Sequence, residues 1–200
     1  MQLFNRNFTD NLLPFDGELY YYGPVFTSEE VANWYQLLLH QIPWKHDELI
    51  MFGKKIITAR KVAWYGDNHF SYVYSHQLKQ ASIWTTELLN LKHQIEKICG
   101  ETFNSCLLNL YHHGKESMGW HSDNERELVP NGTIASVSFG AERKFMFRHN
   151  EKKNNLTLML ESGSILLMKD SIQTHWKHQL PPMAKITTPR INLTFRNMIQ

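Results

Sequence analysis

His121-Ser122-Asp123 sets an imidazole and a carboxylate two positions apart. On a strand or at its end, residues i and i+2 point to the same face, so both side chains can reach one point in space. A third imidazole from a distant strand, with His178 as the candidate, would complete a set of two nitrogens and one oxygen. Two histidines and one carboxylate leave coordination positions open, which suits non-haem Fe(II) that must also take a cosubstrate and O2. Zinc accepts the same ligands, and a tripeptide as short as H-x-D also arises by chance. The triplet by itself therefore leaves the metal open.

The C-terminal end narrows the choice. His178 is followed 12 positions later by Arg190 and 18 positions later by Arg196. Arg190, Asn192, Thr194 and Arg196 alternate with Ile191, Leu193 and Phe195, so on a strand the polar four share one face. Such a row facing into a small barrel calls for an anionic occupant, because unpaired buried charge is costly. Planar guanidinium forks match carboxylates. A dicarboxylate that chelates iron at one end and meets arginine at the other fits the row. The competing reading is an exposed edge strand with a polar outer face.

The elements that must position these residues are legible in outline. Residues 1–26 read as an irregular extension with aromatic anchors such as Phe15, Tyr20 and Tyr22. Thr27-Ser28-Glu29-Glu30 has the form of a capping box and starts a helix whose stripe is Val31, Trp34, Leu37 and Leu38, ended by Pro43. A second helix is expected over 84–98, with Leu88, Leu91, Ile95 and Ile98 on one face and Gly100 beyond its end. After residue 100 the period changes to two. Short strands are expected at 105–111, 134–139, 144–148, 156–160, 164–168, 175–178 and 190–196, bounded by Asn-Gly, Ser-Gly and Pro-Pro turns. Helices first and many short strands afterwards predict an α+β, mainly β protein: a sandwich of jelly-roll type buttressed by helices on one face.

Composition excludes several classes. The 200 residues are 42% hydrophobic and 20% charged, ordinary for a soluble domain. No apolar run approaches the roughly 20 residues that cross a bilayer, and the start lacks the basic-then-apolar order of a signal peptide. The two cysteines, Cys99 and Cys106, suggest reduced thiols rather than a disulfide framework. A cytoplasmic location, nucleoid-associated or nuclear, follows as the expectation. The net charge of +2 decides little. Its distribution says more: Lys54, Lys55, Arg60 and Lys61 form one basic group, and Arg143, Lys144, Arg148, Lys152 and Lys153 another. Such groups suit phosphate backbones, although lysines on hairpins also keep edges soluble.

Together these residues resemble the AlkB family of oxidative demethylases, close to its branch that repairs double-stranded DNA in animals. The carrying segments are SCLLNLY (105–111), WHSDNEREL (120–128), IASVSFG (134–140), KFMFRH (144–149), THWKHQLP (174–181) and PRINLTFR (189–196). Upstream, Phe52-Gly53-Lys54, Arg60-Lys61 and WYGD (64–67) also match, so the likeness covers roughly residues 45 to 197. The resemblance implies a double-stranded β-helix core, with residues 1–44 as an extension and helix packed on a dioxygenase domain of 45–200. It implies Fe(II) on His121, Asp123 and His178, and 2-oxoglutarate held by Asn109, Tyr111, Arg190, Asn192, Thr194 and Arg196. Arg190 would pair with the distal carboxylate, and Arg196 would support the metal end. O2 would complete the reaction, which hydroxylates a methyl group on a ring nitrogen and releases formaldehyde, succinate and CO2.

The resemblance also implies the substrate side. The damaged base lies inside the duplex and must be extruded. Nucleotide-recognition hairpins over about 48–80 would do this, with Met51 and Phe52 as the wedge, Gly53 beside them at the hairpin tip, and Lys54, Arg60 and Lys61 on phosphates. Tyr72, Val73, Tyr74 and Ser75 would line the base pocket, with Asn124 and Glu125 at its polar edge. Two positions depart from the animal branch: Asn124 replaces an acidic residue and Tyr74 a phenylalanine, and both bear on base preference. The expected partner is alkylated DNA, duplex or single-stranded, with RNA as the alternative, bound by a monomer without any membrane.

Overall fold

In the computed structural model, which describes residues 10–51, 54–74 and 77–199, the capping box at Thr27 forms. The Thr27 hydroxyl accepts the N–H of Glu30 at 3.2 Å, and the Glu30 carboxylate accepts the N–H of Thr27 at 2.8 Å. Helix α1 (Ser28–Gln41) follows and stops ahead of Pro43. Helix α2 (Thr86–Cys99) is capped by Thr85 and closed by Gly100, whose φ of 70° lets its N–H reach the Glu96 carbonyl. Leu88, Leu91 and Ile95 are fully buried, whereas Ile98 turns outward and Lys92 takes the next inward place, 2.9 Å from Glu96. Each buried leucine contributes roughly 1.5–3 kcal/mol, so the α2 stripe outweighs the ~1 kcal/mol of a capping bond.

The strands in chain order are β1 (Glu18–Pro24), β2 (Lys45–Met51), β3 (Lys54–Gly66), β4 (Ser71–Tyr74), β5 (Gln77–Gln80), β6 (Ser82–Ile83), β7 (Ser105–Tyr111), β8 (Met118–His121), β9 (Ile134–Gly140), β10 (Arg143–His149), β11 (Asn155–Leu160), β12 (Ser164–Lys169), β13 (Trp176–Leu180) and β14 (Arg190–Arg196). The major sheet runs β1-β12-β9-β14-β7-β3-β2, with β6 beside β3; the minor sheet runs β11-β10-β13-β8; β4 and β5 form a hairpin. One face of the major sheet, including Leu108, Val137, Phe139, Leu193 and Phe195, packs on Leu38 of α1 and Leu88, Leu91 and Ile95 of α2. Its other face, with Tyr111, Leu166 and Met168, meets Phe147, Trp176 and Leu180 of the minor sheet. The result is the helix-buttressed jelly-roll sandwich that the periodicity implies.

Two local expectations are corrected. Residues 18–24, read as irregular, form β1 at the edge of the major sheet, paired with β12 and bulged between Tyr21 and Gly23. The run Tyr20-Tyr21-Tyr22 has no apolar alternation, which hid the strand. His175, read as the start of a strand, instead ends the short helix α3 (Ile172–His175), and the strand begins at Trp176. Four residues are too few for period to separate a helical turn from a strand end. No helix among the described residues is long and apolar enough to cross a membrane.

Candidate functional site

Pairing of β8 with β13 sets His121 directly opposite His178. The His121 Nδ1 lies 2.8 Å from the Gly119 carbonyl oxygen. A carbonyl only accepts, so the ring proton is assigned to Nδ1 and the Nε2 lone pair is left for a ligand. That Nε2 is 3.7 Å from Asp123 Oδ1. One ligand-type atom from each of His121, Asp123 and His178 lies within 4.8 Å of the others. His178 is buried between Phe145 and Phe147, with ring centroids at 5.2 and 5.9 Å. Burial pushes its imidazole down to about 4 despite the opposing pull of Asp123, so it is neutral at pH 7, the form a metal needs. For Asp123, burial alone would raise the pKa. Arg196, His178 and His121 outweigh it and hold the carboxyl below the usual range.

The same cavity, about 560 Å³, is lined by Asn109, Tyr111, Arg190, Asn192, Thr194 and Arg196. Register places Tyr111 opposite Arg190 and Asn109 opposite Asn192. The Arg190 guanidinium donates to Ser138 Oγ at 3.0 Å and lies 5.7 Å from the centre of the Tyr111 ring. Burial lowers its pKa to about 10, still cationic at neutral pH. Asn192 donates to Ser136 Oγ at 2.8 Å and to the Val137 carbonyl at 3.0 Å, and the Thr194 hydroxyl donates to Asn192 Oδ1 at 3.2 Å. The Nε atoms of Arg190 and Arg196 are buried without an acceptor among the described residues. Buried donors left in this state, beside a triad of metal-ligand type, fit an anionic carboxylate ligand.

Several supporting residues escaped the sequence reading. Ser136 and Ser138 had a usable signal, since they alternate with Ala135, Val137 and Phe139. Gln173 had none. Its Oε1 accepts the N–H of Asp123 at 2.9 Å across 50 residues of chain.

The basic groups divide differently from the sequence expectation. Arg60 turns inward, donating from Nε to Asn109 Oδ1 at 3.0 Å. Arg143 is 1% exposed and donates to the carbonyls of Glu116 at 2.8 Å and Pro181 at 2.9 Å, so it is a loop anchor and not a phosphate contact. Arg148 stays exposed over the Trp120 ring at 4.5 Å, and Lys152 is bound to Asp16 at 2.6 Å. Asn124 and Glu125 are exposed at the cavity mouth, Glu125 being 3.6 Å from Arg196. Phe52, Gly53 and Ser75 lie outside the described residues, as do the side chains of Met51, Lys54, Tyr72, Val73 and Tyr74.

A second grouping, Asp16, His149 and His175, also brings three ligand-type atoms together. His149 Nδ1 accepts the N–H groups of Glu151 and Lys152 at 3.1 and 2.9 Å, which puts its proton on Nε2, 3.1 Å from Asp16. A protonated Nε2 offers no lone pair, so this is a hydrogen-bonded clasp holding the N-terminal segment.

Residues 18–196 match the family model described as the 2OG-Fe(II) oxygenase superfamily. The chain is 40% identical over 189 residues to a Homo sapiens protein named DNA oxidative demethylase ALKBH2, covering 89% of this chain and 72% of that protein. Its Bos taurus namesake is 39% identical over 157 residues, covering 74% and 56%. A Homo sapiens protein named alpha-ketoglutarate-dependent dioxygenase alkB homolog 3 is 36% identical over 186 residues, covering 88% and 64%.

Proposed function

The chain belongs to the 2OG-Fe(II) oxygenase superfamily, and from that premise we propose that it oxidatively demethylates N-alkylated bases, such as 1-methyladenine and 3-methylcytosine, in DNA. The observation that carries this reading is the convergence of two unlike groups on one cavity. One is the His121, Asp123 and His178 cluster; the other is the buried arginine face of β14. The DNA substrate follows the relatives named as DNA oxidative demethylases.

In this reading His121, Asp123 and His178 hold Fe(II). Arg190 holds the distal carboxylate of 2-oxoglutarate, while Asn109, Tyr111, Asn192, Thr194 and Arg196 orient the rest. When bound, iron with 2-oxoglutarate and O2 supplies the oxidation of an N-methyl to an N-hydroxymethyl group, lost as formaldehyde, with succinate and CO2 as coproducts. The chain's own residues do the positioning. The Gly119 carbonyl holds the His121 ring in one orientation, and Gln173 holds the Asp123 backbone. Phe145 and Phe147 pack around the His178 ring. Arg196 sustains the charge on Asp123.

Catalysis is assigned to residues 45–200, joined from the preceding segment by β1, which extends the major sheet at its edge, and by α1, which packs on it, and the protein is read as a monomer working where DNA is held, in a nucleoid or nucleus. The test offers 1-methyladenine and 3-methylcytosine in duplex DNA, single-stranded DNA and RNA, with iron and 2-oxoglutarate. Formaldehyde release from DNA is expected. Succinate formed without turnover of any oligonucleotide would overturn the proposal, and turnover confined to RNA would move it to another substrate.

A further inference from the structure

β2 and β3 lose register at one place. His46 pairs with Lys61 and Glu48 with Ile57, so Asp47 alone stands opposite Thr58, Ala59 and Arg60. A bulge re-aims the side chains it carries. The Thr58 hydroxyl holds the distortion, accepting the Asp47 N–H at 3.2 Å and donating to the Arg60 carbonyl at 2.8 Å. Asp47 and Arg60 then both line the cavity.

The Asp47 carboxylate sits between two cations. Its Oδ1 is 2.7 Å from Lys79 Nζ, and its Oδ2 is 3.7 Å from Arg60 Nη2. The Asp47 and Arg60 side chains are each only 14% exposed, so solvent screens this arrangement less than a surface pair. Lys79 lies on β5, in the hairpin that also carries β4. Arg60 reaches Asn109 on β7 through the 3.0 Å bond from its Nε. A continuous polar chain, Lys79–Asp47–Arg60–Asn109, thus joins the β4–β5 hairpin to the interior of the cavity.

We infer that Asp47 is a positioning residue that couples the β4–β5 hairpin to 2-oxoglutarate binding, through Lys79 on one side and through Arg60 and Asn109 on the other. The inference rests on the reading of Asn109 as a cosubstrate contact. An arginine N–H only donates, so its bond fixes the Asn109 amide with Oδ1 toward Arg60 and Nδ2 left as donor. A carboxylate ligand needs that donor; a flipped amide would offer it a repelling oxygen. Removing the Asp47 charge leaves Lys79 and Arg60 as uncompensated like charges, which drives them apart and releases both the hairpin and the amide. Because coupling is reciprocal, 2-oxoglutarate that settles Asn109 also steadies the hairpin.

The test uses the whole chain loaded with Mn(II), a redox-silent substitute for iron. 2-Oxoglutarate is titrated calorimetrically, and amide exchange over 77–80 is followed with and without it. In the wild type, 2-oxoglutarate should slow exchange in the hairpin. In Asp47→Asn its affinity should fall about 3- to 10-fold, the loss expected for one hydrogen-bonded contact, and the exchange response should vanish. Lys79→Gln should also abolish the response and add no further loss of affinity in the double variant. Wild-type affinity and response in a folded Asp47→Asn would overturn the inference. If that variant does not fold, a wild-type response in Lys79→Gln would overturn it equally. A wild-type protein that binds no 2-oxoglutarate would overturn the functional reading and this inference together, a result distinct from either variant outcome.

Discussion

His121 and His178 face each other as cross-strand partners of β8 and β13, with ring centroids 4.3 Å apart at an interplanar angle of 67°. Residues 57 positions apart in the chain are thereby locked to one sheet register. A slip of one residue in that pairing would turn one ring out of the cavity, because side chains alternate across a strand. The two imidazoles are therefore set by the pairing, whereas Asp123, beyond the end of β8, takes its place through its backbone bond to Gln173.

Replacing His178 with alanine should abolish Fe(II) binding and turnover. Calorimetric titration with Mn(II) and a formaldehyde assay read the two effects separately. Full activity in His178→Ala would refute the ligand set.

Gln173→Ala should weaken metal binding about 10- to 100-fold, the usual cost of losing a group that orients a ligand. The variant leaves the Asp123 N–H without its 2.9 Å acceptor. Wild-type Mn(II) affinity in the folded variant would show that Asp123 keeps its place unaided.

Arg190→Lys should raise the KM for 2-oxoglutarate at least about 10-fold, since an ammonium cannot reproduce the planar fork and a charged hydrogen bond is at stake. Ser138→Ala, which removes only the 3.0 Å partner of Arg190, should cost less. Equal KM values for Arg190→Lys and wild type would count against the distal-carboxylate role.

Metal-free protein should lose stability as pH falls from about 6.5 to about 4. The folded His178 has its pKa depressed to about 4 by burial, below its ordinary 6.5. Between these values the unfolded chain binds the proton and the folded chain does not, so falling pH favours unfolding. Above 6.5 both states are neutral and this contribution is level. Urea midpoints at several pH values, compared with His178→Gln, isolate the effect. Identical pH profiles for the two proteins would refute it.

Both thiols should resist modification in the native protein. Burial is the main cause pushing Cys99 up to about 12 and Cys106 well above its ordinary range. Thiolate, the reactive form, is then scarce at pH 8. Rapid reaction with a disulfide reagent without denaturant would contradict this.

Much of the site was legible because strand geometry is local. Asn109 with Tyr111, and Arg190 with Asn192, Thr194 and Arg196, announce a shared face through period two, and the cavity is lined by those residues. Arg60 and Arg143 were misleading because residue type does not report burial. One is turned inward where β3 bulges against Asp47, and the other is enclosed by loop carbonyls. Gln173 and Asp47 carry no local pattern at all, since each acts on a residue far away in sequence.

By itself, the sequence determined which residues of the C-terminal strands share a face, where α1 begins, and which side chains could ligate a metal or meet a carboxylate. These follow from backbone periodicity, capping and side-chain chemistry, all expressed within a few neighbouring residues. Only the tertiary structure decided that His121 meets His178, that Gln173 holds Asp123, and that Asp47 stands between Lys79 and Arg60. The first depends on cross-strand register, the second on where the short helix α3 packs against the segment after β8, and the third on a bulge, and each is set by chain distant in sequence.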